Sequence, residues 1–400
     1  PLGRKTAAGG GSLNIHIHAV ASTSALGANW NDLQSVLEGR REPHHLQTDH
    51  YSPGKTQYIF TIPPFSTIVS PRRYLNLLLS TADQISEEVR TCIHQFGTNK
   101  IGLVLGTSTA GILEGEFAFR EQELSGSLPP TYDYQQQEMG APAQALARHW
   151  GLRGPVSTIS TACSSGAKAF RTAWRWLDTH WCDAVIVAGI DTLCQLTVQG
   201  FSSLEALSSK RCNPMSLHRK GINLGEAVAL FLVQRSGTGP VIRGVGESSD
   251  AYHISSPQPE GLGAESAMRR ALVEAQLQPQ DIDYINLHGT ATSLNDRMES
   301  FAVSRLFGNN TPCSSTKPLT GHCLGAAGSI EAAILSGILL NSENSVLPPH
   351  IWDHVPDPDL APIRLVQPGE CASRPIKHVL SNSFAFGGGN CSLVISRGKA

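Results

Sequence analysis

Two stretches of this 400-residue chain repeat one pattern: "GLVLGTSTAG" (102–111) and "YINLHGTATS" (284–293) each run from strand-like residues into Gly-Thr-x-Thr and on into a helix-compatible segment. Such an echo predicts two similar halves, meeting near residue 240 around "SGTGPVIRG", with equivalent strand ends facing a common site. Around the two copies, short apolar β-branched runs alternate with helix-compatible segments: "KIGLVLG" (100–106), "DAVIVAGI" (183–190), "AVALFLVQ" (227–234), "DIDYINLHG" (281–289) and "HVLSNSFAF" (378–386). Strands interleaved with helices predict an α/β fold with buried sheets covered on both faces. "SAMRRALVEAQL" (266–277) is apolar at helical spacing, whereas "GSIEAAILSGILLN" (328–341) is apolar almost all round and predicts a helix inside the molecule.

Composition narrows the function classes. The hydrophobic content of 40% supplies a sizeable core, and 31 basic against 33 acidic residues leave a formal charge of -2, which offers no general field for nucleic acid or an anionic membrane. An electrostatic partner therefore has to use a local patch. The nine cysteines form no CxxC pair, in a chain too long to need disulfide staples, and read as reduced thiols of a cytoplasmic protein. No apolar run reaches the roughly 18 residues of a membrane span, and no signal-peptide pattern opens the chain. "PLGRKTAAGGGS" reads as a cloning scar and linker, so residues 1–12 are set apart from the halves 13–240 and 241–400.

Four stretches carry chemistry. In "STACSSGAKAF" (160–170), Cys163 stands where a strand-like segment gives way to a helix-like one. Free N–H groups and the dipole at a helix N-terminus favour a thiolate and lower a cysteine pKa from about 8.5, and Gly166 with Ala162, Ser164 and Ser165 would let a substrate approach closely. A buried core thiol is the competing reading, because free cysteine is among the most buried residue types. Phe170 faces either a substrate tunnel or the core.

His288 closes a strand, a position where active-site groups of α/β folds gather, and reads equally as a satisfied core histidine. His322 lies in "SSTKPLTGHCLGAAGSIEAA" (314–333) between Gly321 and Gly325, with Lys317 and Glu331 placed to pair and orient it, or else to be a solvated lysine and a capping glutamate. "SNSFAFGGGN" (381–390) has φ freedom and exposed N–H groups for an oxyanion, but neither phosphate-loop nor dinucleotide-loop spacing.

Taken in order, "STACSSG", "HGTAT", "STKPLTGHCLGAAGSIEA" and "NSFAFGGGN" resemble the motif set of the β-ketoacyl-acyl-carrier-protein synthases of the elongating, two-histidine type, from about residue 13 to 396. The resemblance implies the thiolase fold, in which duplicated halves form a five-layered αβαβα sandwich. It implies an acyltransferase whose Cys163 takes an acyl chain from a carrier-protein thioester, while His288 and His322 bind the malonyl thioester and stabilise the enolate left by decarboxylation. The same resemblance makes Cys163 and Phe386 N–H groups the oxyanion hole, and Lys317 with Glu331 the support of the second histidine. Phe386 and Phe384 belong to its gate, Phe201 to its acyl pocket, and Thr290 and Thr292 to its phosphopantetheine contacts. Arg72 and Arg73 would grip the acidic carrier protein.

No metal and no cofactor of its own is implied, because the substrates ride on the phosphopantetheine of an acyl carrier protein. A dimer is implied, either of two copies or with a chain-length-factor-like paralogue. "KGINLGEAVALFL" with "SLNDRMES" looks closer to ketosynthases of bacterial aryl polyene clusters, which are type II polyketide-like systems, than to the fatty-acid enzymes. Housekeeping fatty-acid elongation remains the alternative within the family, and a chain-length factor without condensing activity the non-enzyme one, against which Cys163 counts. A thiolase acting on coenzyme A would not need the Lys317–Glu331 block, an initiating ketosynthase would carry asparagine in place of His322, and no cysteine-protease signature surrounds Cys163.

Overall fold

A computed structural model describes residues 14–63, 72–340 and 346–398. The segment read as a cloning scar, 1–12, lies outside the described residues. The strands are β1 (Ile15–Ser24), β2 (His45–Thr48), β3 (Gln57–Phe60), β4 (Ile101–Gly106), β5 (Val156–Ile159), β6 (Ala184–Asp191), β7 (Ala227–Gln234), β8 (Val241–Ser249), β9 (Tyr284–Asn286), β10 (Pro312–Ser314), β11 (Arg364–Leu365), β12 (His378–Phe384) and β13 (Gly389–Ser396). The helices are α1 (Trp30–Leu37), α2 (Arg73–Asp83), α3 (Ser86–Phe96), α4 (Ile112–Ser125), α5 (Ala141–His149), α6 (Ser165–Asp178), α7 (Gln195–Ser203), α8 (Leu262–Ala275), α9 (Ser293–Phe307), α10 (Lys317–Thr320) and α11 (Ala327–Leu340).

The echo read from the sequence has a topological counterpart. Before residue 240 the strands stand in the order β5-β4-β6-β7-β1, and after it in the order β10-β9-β12-β13-β8. In each set the first two neighbour pairs are parallel and the last two antiparallel. The two sets are not separate sheets. Ile15 pairs with Ile242 and His16 with Val241, so β1 and β8 join the ladders into one sheet of eleven strands, with β11 added at an edge.

This sheet wraps around α6 and α11, which touch strands of both sets; α2, α3 and α5 cover one outer face and α8 and α9 the other, giving five layers. Period-two alternation sorts the side chains. On β7, Ala227, Ala229, Phe231 and Val233 join the central core, whereas Val228, Leu230 and Leu232 join the outer one. On the other half, Val379, Leu393 and Ile395 face the centre, and Leu380 and Val394 pack outward with Met268 and Leu272 of α8. The helix predicted to be apolar all round is α11, buried from Ala327 to Leu339. Phe170 on α6 faces the core, edge to face with Phe231 at 5.0 Å between centroids, and not a tunnel. Among the described residues, no helix is long and apolar enough to cross a membrane.

Candidate active site

Cys163 sits on a sharp elbow between β5 and α6. Ala162 adopts φ of +50°, a left-handed conformation that costs a non-glycine residue about 1–2 kcal/mol and that the surroundings must hold in place. Three short bonds do so: Ser164 Oγ donates to Thr161 O at 2.9 Å, Ser165 Oγ donates to Ala162 O at 2.6 Å, and Thr161 N–H donates to Ser165 Oγ at 2.9 Å. The serines thus serve the turn, and both are fully buried. Gly166 also departs from expectation. A Cβ on it would stand 2.4 Å from Ser329 Oγ and 2.8 Å from Gly325 O, so its missing side chain lets α6 approach α11 and not a substrate.

That approach brings the second half onto the cysteine. His322, at the turn between α10 and α11, is anchored by its N–H to Asn223 O at 2.7 Å, and its Nε2 lies 3.0 Å from Cys163 Sγ. The His288 ring stands nearly perpendicular to that of His322, 5.3 Å between centroids, with Phe384 on its other side at 6.1 Å. β9 is shorter than predicted, ending at Asn286, because the N–H groups of His288 and Gly289 leave the ladder and donate to the Glu299 carboxylate, each at 2.7 Å. Lys317 Nζ donates to Glu331 Oε1 at 2.7 Å with both side chains almost wholly buried, so the solvated-lysine reading fails.

Burial governs the protonation states. It pushes the Cys163 thiol up to about 11, against the pull of the Lys317 charge and of the Phe386 and Cys163 N–H groups. The helix-terminus position is as expected, but desolvation outweighs it. Burial, followed by the Lys317 charge, holds both histidines well below their ordinary range, so the rings are neutral at neutral pH. Among the described residues neither Nδ1 has a hydrogen-bond partner, so no carboxylate or carbonyl there fixes either tautomer. Cys163, His288 and His322 offer donor atoms within 4.8 Å of one another, yet they lack the outer hydrogen bonds that orient metal-binding imidazoles.

These groups form the floor of a cavity of about 550 Å³ whose walls include Thr290, Thr292, Phe201, Phe384 and Phe386. Phe386 is exposed and packs on Phe201 at 5.8 Å. Its loop uses left-handed backbone at Gly387 and Gly388, which only glycine adopts freely, and is tied back by Gly387 N–H to Ile254 O at 2.7 Å. Thr290 and Thr292 hydroxyls share a hydrogen bond of 2.9 Å.

The carrier-protein expectation fails for Arg73. Its side chain is 2% exposed and ion-paired to the buried Glu226, which also accepts from Thr61 Oγ1 and the Ile62 N–H, so it clamps α2 to the sheet. Arg72 is exposed at the start of α2. Two carboxylates that sequence reading passed over carry the frame. Asp191, at the end of β6, accepts from Thr107, Ser108 and Thr109 of the first Gly-Thr-x-Thr copy and from Gly325 N–H, while Glu299 holds the second copy. An acid closing a fully apolar strand was the available signal for Asp191.

Known proteins place this geometry. The β-ketoacyl synthase N-terminal domain matches residues 37–238 and the C-terminal domain residues 240–352. The chain is 30% identical to nodulation protein E of Rhizobium meliloti, over 82% of this chain and 84% of that protein. It is 30% identical to 3-oxoacyl-[acyl-carrier-protein] synthase 2 of Staphylococcus aureus, over 82% of each. Among solved structures, a ketosynthase (ApeO) in complex with its chain length factor (ApeC) from Xenorhabdus doucetiae superposes with a TM-score of 0.90 at 40% identity, over 96% of this chain and 98% of that one. A β-ketoacyl synthase from Burkholderia phymatum gives 0.84 at 26%, over 96% and 100%. The chain belongs to the β-ketoacyl synthase family and is a condensing acyltransferase.

Proposed function

We propose that Cys163, His288 and His322 perform a decarboxylative condensation that elongates an aryl polyene chain held on the cysteine. The observation that carries this reading is the 3.0 Å contact between Cys163 Sγ and His322 Nε2 on the floor of an open cavity, with His288 facing the same space. In loading, Nε2 accepts the thiol proton as sulfur attacks the thioester carbonyl of an acyl carrier protein, and the proton passes to the departing carrier thiol. The N–H groups of Cys163 and Phe386, which already act on the sulfur, would hold the oxyanion, each such donor being worth roughly 3 kcal/mol.

In condensation, neutral rings with unlocked tautomers can each turn an N–H toward the malonyl thioester oxygen. The C–C bond to the carboxylate breaks, carbon dioxide leaves, and the enolate carbon attacks the acyl-Cys163 carbonyl, expelling the thiolate. Burial, reinforced by the Lys317 charge, keeps both rings neutral, and Glu331 keeps Lys317 in place. Phe386 and Phe384 gate the malonyl entry, Phe201 shapes the acyl pocket, and Thr290 and Thr292 hold the phosphopantetheine arm. Every group the reaction needs belongs to the chain or its carrier-borne substrates, so we assign no cofactor and a cytoplasmic setting.

The aryl polyene assignment rests on the resemblance carried by "KGINLGEAVALFL" with "SLNDRMES", and pairing with a chain-length-factor paralogue on the 40% identical ketosynthase, whose structure contains such a factor. The division at residue 240 rests on the repeated strand order. Intact-mass detection of acyl-Cys163, followed by carbon dioxide release from malonyl-carrier protein, tests the mechanism. A chain that never acquires acyl mass at Cys163 would sink it.

A further inference from the structure

We propose that Cys163, His288 and His322 also form an inhibitory zinc site, in which one Zn2+ ion takes the sulfur and an imidazole nitrogen from each ring and silences the cavity until it is withdrawn. The ligand set stands on the geometry alone; only the consequence for acyl loading rests on the functional reading above. One thiol and two imidazoles, with a fourth position left open, are a donor set that suits zinc and not the harder cations. Among the described residues no other group of three His, Cys, Asp or Glu side chains brings its donor atoms so close together.

The spacing needs little adjustment. The three donor atoms lie within 4.8 Å of one another, and Cys163 Sγ stands 3.0 Å from His322 Nε2. Zn–S and Zn–N bonds of about 2.3 and 2.0 Å in a tetrahedron put the ligand atoms about 3.3–3.6 Å apart, so movements of about 1 Å close the site. The rings can make them, because neither Nδ1 has a partner among the described residues and either nitrogen of a neutral imidazole can ligate. All three side chains are buried, yet they floor a cavity of about 550 Å³ with room for the ion and for a water as fourth ligand.

The same features make the site reversible and not resident. No outer carboxylate or carbonyl among the described residues holds either Nδ1, and such partners are worth roughly 10–100-fold in affinity. The Lys317 charge, which already bears on both histidines, also opposes a cation. Half-occupancy should accordingly need on the order of 10 µM free Zn2+. On binding, the S–H bond of Cys163 breaks, a Zn–S bond forms and the proton leaves to solvent; nothing is oxidised or reduced. A sulfur and a ring nitrogen held by the ion can neither attack a thioester nor take up the thiol proton, so loading stops. Acylation has the converse effect: the metal ligand is the thiolate, so a cysteine already carrying its acyl group excludes zinc.

Cobalt(II) reports such a site directly, because thiolate ligation gives a sulfur-to-cobalt charge-transfer band in the near ultraviolet and a tetrahedral ion gives intense visible bands. The chain titrated with Co2+ should show both, saturating at one equivalent, and Zn2+ should abolish them. Cys163→Ser should lose the charge-transfer band, and His288→Ala and His322→Ala should each weaken cobalt binding at least about tenfold, since a direct ligand is worth more than an outer partner. Cys371→Ser, which removes the exposed thiol, should change nothing. Zn2+ at about 100 µM should slow Cys163 acylation from acyl-pantetheine about tenfold, read by intact mass, and a chelator should restore it. Chain acylated before the titration should give no band. Absence of both bands from the wild-type chain, a charge-transfer band that survives Cys163→Ser or vanishes with Cys371→Ser, or acylation at full rate in 100-fold more Zn2+ than half-occupies the site would overturn the proposal. Zinc binding by a chain whose Cys163 no donor ever acylates would instead leave the site standing and overturn the functional reading.

Discussion

Cys163 Sγ and His322 Nε2, 3.0 Å apart and 159 positions apart in sequence, are both neutral at rest: burial drives the thiol up to about 11 and the imidazole well below its ordinary range. The nucleophile is therefore made at the moment of attack and not stored as a thiolate. Alkylation of Cys163 by iodoacetamide should keep rising with pH beyond pH 9, followed by intact mass; a plateau below pH 8 would contradict a desolvated thiol. Cys163→Ala should abolish acyl loading. His288→Ala should load normally but lose malonyl decarboxylation, whereas His322→Ala should lose decarboxylation and also load about 10² or more slowly, since it removes the proton acceptor.

Lys317 bears on three pKa values at once. Its charge opposes protonation of both histidines and favours the thiolate, so Lys317→Met should raise the histidine values toward 6.5 and raise the thiol further. The acid limb of decarboxylation against pH should then move up. The Glu331 carboxyl, already raised by burial and held down by Lys317, rises as well. A carboxyl raised in the folded state stabilises below its unfolded pKa and loses that contribution as pH climbs through the folded one. Lys317→Met should accordingly lose about 3–5 kcal/mol near pH 8 and much less at pH 5. Lys317→Met/Glu331→Gln should lose this pH dependence, read by thermal unfolding at both pH values; an equal loss at pH 5 and 8 in the single variant would refute the pairing.

The turn that carries His288 depends on one carboxylate. Glu299 receives the N–H groups of His288 and Gly289, and burial raises it to about 7 against the pull of those donors. By the same sign rule, its contribution to stability is greatest below its ordinary 4.5 and falls as pH rises to about 7. Glu299→Gln should flatten that slope. It should also leave one N–H without an acceptor, costing about 1–3 kcal/mol, and reduce decarboxylation more than loading, because His288 moves and Cys163 does not. Equal losses in the two half-reactions would show that Glu299 acts on the whole fold instead.

Much of this was legible because strand and helix periods are local. β7 was read residue for residue from its continuous apolar run, and α11 from being apolar all round, since both record burial on every side. The motifs offered Cys163, His288 and His322 as candidates, because glycines and small residues at strand ends signal turns that expose chemistry, whereas Phe386 came only from the family resemblance. What sequence left hidden were partners distant in the chain. Arg73 looked like a surface cation because nothing local reveals Glu226, 153 positions away, and the joining of the two ladders at His16 and Val241 depends on two residue pairs with no sequence signature. Gly166 was credited to the substrate for the same reason.

Gly166 supplies a sharp test of how the halves hold the site together. With a Cβ position 2.4 Å from Ser329 Oγ and 2.8 Å from the Gly325 carbonyl, Gly166→Ala pushes α6 from α11, and backbone on one side cannot yield. Overpacking of this kind costs about 1–3 kcal/mol. Because α6 carries the Cys163 elbow and the turn before α11 carries His322, the 3.0 Å contact should lengthen and both half-reactions slow together. Gly200 on α7 is the control: nothing lies within 4 Å of its Cβ position, and Gly200→Ala should stabilise by about 0.5–1 kcal/mol through helix propensity. Thermal unfolding and loading rates of the two variants decide it, and a Gly166→Ala chain as stable and as fast as Gly200→Ala would mean that the close approach of the central helices is not what aligns the cysteine with the histidine.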